Sequence, residues 1–589
     1  MPNFFTDNRD ILFNFEFLDL EELANLQEDD FKPGELVTGI EPWERPPHAP
    51  INAADAVDNF RRILEITGQV AAEVIAPNAE EVDEEGNTLN EDGTVTYHPK
   101  VQENLDALAQ GDLMGFTLPH RFGGLNCPNV IYTMATEIVS RGDGSLMNLF
   151  GLQGIAETIN AFASEEIRQE TLHRFCRGEV TGAMVLTEPD AGSDLQAIRL
   201  RADLDENGQW RLNGVKRFIT NGCGEILLTL ARSEPHISDG RGLSLFYSER
   251  SEHVKVRHLE HKMGIHGSPT CELVYTNAPA KLVGERQRGL IEYVMALMNG
   301  ARLGIAAQSL GIAEAAYRLA RTYAHTRQQF GVPIERFPAV AELVTDMQVY
   351  IEAARALAYQ TAFVCDHENN ALRVMEMYDL DKDKRKEFKQ KSRHLRRLNG
   401  MLTPMSKYYC SEMSCDVAYD TIQVLGGSGY MKDYPAERYA RDARITTIYE
   451  GTSQLQILAA SRAFTSGVFN DYATQLAESG YDDPLLSELR EKLVAAQDQV
   501  AQAVAYVKGK SPSYLDLSGR RLVDCGITVI CGHFLLKMGA ASERKKRVAR
   551  RYIESRLPEL EAKVTQILSG DVSPVEEYEL LAGPVPVTA

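Results

Sequence analysis

The chain has 589 residues, 44% hydrophobic and 25% charged, values that exclude wholesale disorder and fibrous repeats. At about 100 to 200 residues per domain, this length predicts three to five structural units. The 62 basic and 84 acidic side chains leave a net charge of −22, which would repel a phosphate backbone and argues against nucleic acid as a partner.

Residues 1–50 mix aromatics, acids and prolines, end in EPWERPPHAP, and read as an arm lying across the body. The first residues show neither a basic n-region nor an apolar h-region, so no signal peptide is expected. From 51 to 180 the apolar residues recur at three and four, predicting an all-helical domain. From 181 to 282 short β-prone runs (AMVLT, IRLRADL, QWRLNG, KRFIT, EILLTLAR, LSLFYSE, VKVRHLE, CELVYTN), separated by ENG, NG and SDGRG turns, predict a small antiparallel β domain. Helical periodicity returns over 283–465, interrupted by a charged insertion at 367–400 with a basic end.

Residues 466–589 predict an additional helical domain with a local basic cluster, RKKRVARR at 544–551. Its 15 basic and 17 acidic side chains make this unit non-basic as a whole, so the cluster reads as a solvated helix face, with weak attraction to an anionic membrane surface as the sharper alternative. The best apolar run, CGITVICGHFLL at 525–536, is shorter than the roughly 18 residues of a spanning helix. Nine scattered cysteines without CxxC spacing predict free thiols in a reducing cytoplasm. The expected fold class is thus mainly α with a central small β domain.

Several segments combine polar groups with turn residues. In AMVLTEPDAGSDL (183–195) a strand ends in Thr, Pro, Gly, Ser and Asp, exposing backbone N–H groups and hydroxyls. KRFITNG (216–222) ends another strand in an aromatic, a hydroxyl and an Asn-Gly turn. Each alone reads as a chain reversal; together they could form a shelf for a planar ring. RQQFG (327–331) and QVLGGSGY (423–430) carry close-approach glycines but match neither a dinucleotide fingerprint nor a P-loop, and each alone reads as a glycine-capped helix end. RITTIYEGTSQLQ (444–456) places Glu450 before Gly451 at a helix start. Desolvated there, its carboxylate could act as a general base on a weakly acidic C–H; left in solvent, it would only complement a helix dipole.

In this order LTEPDAGSD, FITNG, KMGIHGSPTCEL, RQQFG, QVLGGSGY and IYEGTSQLQ resemble the acyl-CoA dehydrogenases, across roughly 182–456. The resemblance implies a helix domain, β-barrel and four-helix-bundle architecture plus a C-terminal helical extension. It also implies an FAD flavoprotein that converts an acyl-CoA thioester to the trans-2-enoyl-CoA and passes electrons to electron-transfer flavoprotein.

Residue by residue, the resemblance implies that Glu450 takes the α proton while the β hydride goes to flavin N5. Leu186, Thr187, Ser193, Phe218, Ile219 and Thr220 would line the flavin, with Thr452 and Gln454 completing its site. Arg327, Gln329, Phe330, Gln423, Gly426 and Gly427 would hold the FAD of a neighbouring subunit. Ser193, Asn299, Arg302, Glu450 and Gly451 would contact substrate, and the Glu450 N–H would stabilise the enolate oxygen.

Some relatives carry the base on the helix before the substrate-contacting arginine, where this chain has Ala301. Phe337-Pro338 departs from the Phe-Gln of many relatives and removes an expected polar FAD contact. Large bacterial members share the extended ends, which favours a homodimer. The expected substrate is a saturated straight-chain acyl-CoA, with an acyl-CoA oxidase or a methylthiopropanoyl-CoA dehydrogenase as alternatives.

Overall fold

The structure, a computed structural model, describes residues 2–28, 31, 49–378 and 380–586. Most of EPWERPPHAP therefore lies outside the described residues. The preceding part of the arm forms two short helices, Arg9–Phe17 and Leu20–Gln27. Asn8 caps the first by accepting from the Asp10 and Ile11 N–H groups, and Phe5, Ile11, Phe15 and Leu23 are buried in the main core. The arm lies against helix Ala53–Val70 at Gly68. There the Phe4 N–H donates to the Gly68 carbonyl at 3.0 Å, and a Cβ on Gly68 would meet the Phe5 nitrogen at 2.7 Å.

Helix Ala53–Val70 starts at Asn52, whose side chain accepts from the Asp55 N–H, and buries Ala56, Phe60, Leu64 and Thr67 along one stripe. The following helices run to Glu165–Cys176. Helix Asn129–Gly142 crosses the centre of this layer, and its first turn is capped by the Asp366 carboxylate, which accepts from the Asn129 and Val130 N–H groups at 2.7 and 3.0 Å. The all-helical expectation needs one correction. Strands Thr88–Leu89 and Val95–Thr96 form a hairpin that turns through Asp92-Gly93 and reaches the β domain, where the Val256 N–H donates to the Gly93 carbonyl.

The β domain closes on itself. Ile226–Arg232 pairs with Leu243–Glu249, which pairs with Thr270–Val283, which pairs with Trp210–Thr220; that strand pairs with Arg201–Leu204, which returns to Arg232. The sheet is not wholly antiparallel: Gly182–Val185 runs parallel to Ile226–Arg232, because the long connection between them reverses the chain more than once. Nor are QWRLNG and KRFIT two strands. They form one continuous strand, Trp210–Thr220, where Gly214 at φ 145° marks a bulge in the pairing with Thr270–Val283; the Asn-Gly turn at 221–222 follows it.

Beyond the barrel a π-helical turn leads into Met295–Thr326, which packs on Asn129–Gly142 and on Lys382–Leu425. The charged insertion is not a separate unit. It forms the facing ends of two long helices, Pro338–Met377 and Lys382–Leu425, with Asp381 capping the second by accepting from the Asp383 and Lys384 N–H groups. Pro338 takes the first turn of its helix, where its missing N–H costs nothing.

Four further helices, Val468–Ala477, Pro484–Lys508, Pro512–Ala541 and Glu543–Leu568, share one apolar core with Ser453–Thr465 and Lys382–Leu425. Among the described residues two helices, Gly289–Thr326 and Pro512–Ala541, are long and apolar enough to cross a bilayer, longer than the apolar run alone suggests. Pro512–Ala541 is the core of the C-terminal unit, with 89% of its most apolar window buried, and Gly289–Thr326 is packed within the helical bundle. All nine cysteines are free, seven buried and two half-buried.

RKKRVARR is a solvated face only in part: Arg544, Arg547 and Arg550 are exposed, but the cluster also carries a buried cation and ties to other elements. Lys545 is buried and ion-paired with Asp10 and Glu352, Arg544 pairs with Glu352, Lys546 with Asp483, and Arg551 with Asp346.

Candidate active site

A cavity of about 180 Å³ opens where the barrel's strand ends meet the two helical layers. The strand ends contribute Met184, Leu186 and Thr187 from one side and Phe218, Ile219 and Thr220 from the other. They are locked together beneath the cavity: the Arg217 N–H donates to the Thr187 carbonyl at 3.0 Å, and the buried Lys216 ammonium donates to the Leu186 carbonyl at 2.7 Å. Burial pulls Lys216 down to about 8, while its ion pair with Glu188 at 3.0 Å favours the charged form. Glu188 in turn accepts from the Arg199 and Leu200 N–H groups at 2.7 and 2.9 Å, which fixes the turn after the strand. Phe218 adopts φ 61°, a strained value for an aromatic residue, and its ring remains 53% exposed.

Glu450 enters the same cavity from the opposite wall. It too is left-handed, at φ 55°, and Gly451 follows at φ 89°. This turn is held from behind. Gln456 Nε2 donates to the Glu450 and Gly451 carbonyls at 3.1 and 3.0 Å, and the buried Lys407 ammonium donates to the Gly451 carbonyl at 2.9 Å. The left-handed backbone at position 451 favours glycine, and a Cβ there would meet Gln456 Nε2 at 2.6 Å and displace the side chain that holds the turn.

The neighbouring Tyr449 hydroxyl donates to Asn148 Oδ1 at 3.0 Å and abuts Gln308 Oε1. Burial raises the Glu450 carboxyl, and the cations of Arg302 and Lys407 pull it back down. The result is a base drier than a surface glutamate yet still ionisable. Among the described residues the Glu450 N–H has no hydrogen-bond acceptor, leaving a free donor beside the carboxylate.

Of the residues singled out by sequence, Leu186, Thr187, Phe218, Ile219, Thr220, Glu450 and Gly451 line the cavity. Ser193 is exposed on the adjoining turn, whose Gly192 is in the lining. Asn299 and Arg302 flank the lining residues Gly300 and Ala301; Arg302 reaches Asn299 Oδ1 at 3.3 Å, and its buried Nε has no acceptor among the described residues. Thr452 serves as the cap of helix Ser453–Thr465, accepting from the Leu455 N–H, and Gln454 is exposed beside it.

Arg327, Gln329, Phe330, Gln423, Gly426 and Gly427 are exposed and do not line this cavity. Tyr323 joins the two segments that carry them, donating to Ser428 Oγ at 3.2 Å and meeting Tyr434 edge-on at 5.7 Å. Ala301 faces the cavity without a carboxylate, which leaves Glu450 and one further acid, Glu157, in the lining. Sequence reasoning missed Lys216, Lys407 and Glu157. The two lysines act from beneath the lining, and Glu157 stands in a helix without any local motif.

The cavity suits a flat heteroaromatic group. The hydroxyls of Thr187 and Thr220 have no hydrogen-bond partner among the described residues, and the half-exposed Phe218 ring offers an apolar face beside them.

Three family models match the chain in order: acyl-CoA dehydrogenase N-terminal domain over 58–179, middle domain over 183–278 and C-terminal domain over 288–464. An acyl-CoA dehydrogenase of Bacillus subtilis is 37% identical over 364 residues, spanning 60% of this chain and 87% of that protein. A chain of the electron transferring flavoprotein structure of Acidaminococcus fermentans is 30% identical with a TM-score of 0.59, over 69% of this chain and 97% of its own. The acyl-CoA dehydrogenase of Bacillus anthracis solved with FAD shares the fold over 90% of this chain and 92% of its own, with a TM-score of 0.73 at 23% identity. That likeness extends past the three matched segments. Ordered motifs, barrel-and-bundle architecture and these matches together show that the chain belongs to the acyl-CoA dehydrogenase family, oxidoreductases of the CH–CH bond of acyl-CoA.

Proposed function

We propose that the protein is an FAD-dependent acyl-CoA dehydrogenase in which Glu450 removes the α proton of the bound thioester. The observation that carries this reading is the strained, buttressed turn that holds the Glu450 carboxylate in a desolvated cavity between two cations. Thr187, Thr220 and the Phe218 face would hold the flavin ring, and when bound FAD supplies the hydride acceptor. The chain's own residues do the rest. Desolvation raises the basicity of Glu450, Arg302 and Lys407 keep it ionised, and its free N–H is available to stabilise negative charge on a thioester oxygen.

The reading extends to electron-transfer flavoprotein as the electron acceptor, a homodimer as the working form and the cytoplasm as its location. Anaerobic titration of the FAD-loaded protein with saturated acyl-CoAs tests the core of it. Flavin absorbance should bleach with native protein, whereas Glu450→Gln should keep its FAD and lose at least about a thousandfold in bleaching rate, as removal of a general base predicts. Unchanged bleaching by Glu450→Gln would sink the assignment of the base.

A further inference from the structure

The cavity does not end in hydrocarbon. Away from Glu450 its wall is formed by helix Asn129–Gly142, which contributes Asn129, Tyr132, Thr133 and Thr136, and by Glu157 of helix Gln153–Phe162. The two carboxyl groups sit on different supports: Glu450 on the turn held by Gln456 and Lys407, and Glu157 on helix Gln153–Phe162 beside Thr117, with Tyr132 hydrogen-bonded to Phe150.

The hydroxyl protons in this region are already committed. Thr133 donates to the Asn129 carbonyl at 2.7 Å, Thr136 to the Tyr132 carbonyl at 2.8 Å and Tyr132 to the Phe150 carbonyl at 3.1 Å. Thr117 donates to Glu157 Oε1. One N–H of the Asn129 amide is likewise committed, donating to Asp366 at 2.9 Å. Apart from the second N–H of that amide, what these groups can still offer is lone pairs.

Glu157 itself has no Lys, Arg or His ion-pair partner among the described residues, and its charge bears on another acid, Asp366, which is spent on capping Asn129–Gly142. A desolvated carboxyl without a cation is costly: burial raises that of Glu157 against its hydrogen bond from Thr117, and a donor on a ligand would relieve part of that cost. A plain methyl-ended chain reaching this region would cover five acceptors and satisfy none.

We propose that the acyl group this protein takes carries a hydrogen-bond donor, a hydroxyl or a protonated amine, toward its distal end, and that Glu157 receives it. The inference rests on the dehydrogenase reading and narrows its substrate class away from unsubstituted straight chains. No redox step is added: the distal group is bound, not transformed.

The test compares saturated C6 to C12 acyl-CoAs with their ω-hydroxy and ω-amino counterparts, by anaerobic bleaching of the FAD-loaded protein and by calorimetric binding to Glu450→Gln. At one chain length or more, a donor-ended thioester should exceed the unsubstituted one at least about tenfold in bleaching rate over concentration and in affinity. The hydroxy and amino arms identify which donor it is. Glu157→Leu should reverse that preference while still bleaching with the unsubstituted chain.

The inference is overturned if unsubstituted chains match or exceed donor-ended ones at every length, or if the advantage survives Glu157→Leu intact. Should that variant fail to fold, the comparison on native protein decides alone. Failure of the dehydrogenase reading looks different, because no thioester of either kind would then bleach the flavin.

Discussion

Lys407 is the residue that most changes how Glu450 behaves. Its ammonium supports the Gly451 carbonyl and, with Arg302, stabilises the ionised carboxylate; burial holds Lys407 itself at about 8. Replacing Lys407 with Met removes a cation that favours the charged form of Glu450, so the pKa of the base must rise. The acidic limb of the pH profile should therefore move to higher pH by about one unit, with kcat lowered about tenfold or more. A residue with only a packing role would lower activity without displacing that limb, so the profile separates the two. Glu450 could be singled out in the sequence because Gly451 and the capping Thr452 are adjacent in the chain, and the resemblance to the family, not the local residues, made it the expected base. Lys407 lies on a different helix, and nothing around it distinguishes it from the lysines of any amphipathic helix.

Contacts between elements hold the cavity walls in register, and one of these is sensitive to pH. Asp83, at the end of helix Ala76–Glu85, meets His266 of a barrel loop at 3.0 Å and Arg441 of helix Ala436–Thr446 at 2.6 Å, so three layers join at one carboxylate. The hydrogen bond to Asp83 raises His266 to about 9 from its ordinary 6.5, and the two partners hold Asp83 well below the usual carboxylate range against the opposing effect of burial. A raised histidine contributes stability that is complete below 6.5 and lost as pH rises through 9; a depressed aspartate contributes above its ordinary value and loses it in acid. Denaturant midpoints should therefore show His266→Asn less stable than native at pH 6, with the gap closing by about pH 9.5. A constant gap would mean that His266 acts through packing alone. Most barrel strands were legible as short β-prone runs between turns, as in LSLFYSE, which is strand Leu243–Glu249. The continuity of QWRLNG with KRFIT through Gly214 and the parallel pairing of Gly182–Val185 were not. A bulge glycine has the same local composition as a turn, and strand direction depends on where the rest of the chain has gone. The insertion misled for a related reason: its charges decorate the exposed ends of helices whose buried stretches lie elsewhere in the bundle.

Across the whole molecule, a buried ionic cluster joins the arm, both helical domains and the C-terminal helices. Arg355, fully buried, pairs with Asp10 at 2.5 Å, Glu137 at 2.6 Å and Glu314 at 2.8 Å, while Lys545 joins Asp10 to Glu352. Lys545→Met leaves two buried carboxylates short of a cation and should cost about 3 to 5 kcal/mol, read as a fall in the urea midpoint. Opposite in character is the surface around Arg327–Phe330 and Gln423–Tyr430. Phe330 is 94% exposed and Tyr430 77%, with Val332 and Met431 also exposed, an apolar content that an isolated folded chain would not be expected to leave in water. Phe330 is presented on a hairpin of two short strands, Gln328–Gln329 and Val332–Pro333, with φ 52° turning it outward and Phe337 meeting it edge-on at 6.1 Å. Strain spent on exposing an aromatic is accounted for if a second copy covers it, and the same segments carry the polar groups expected to reach a neighbour's cofactor. Phe330→Asp should then convert a dimer to a monomer in sedimentation equilibrium and lower the flavin retained per chain, although the variant's own Glu450 cavity is untouched. A native protein that sediments as a single chain with full flavin content would show that this surface is covered by something other than its own kind.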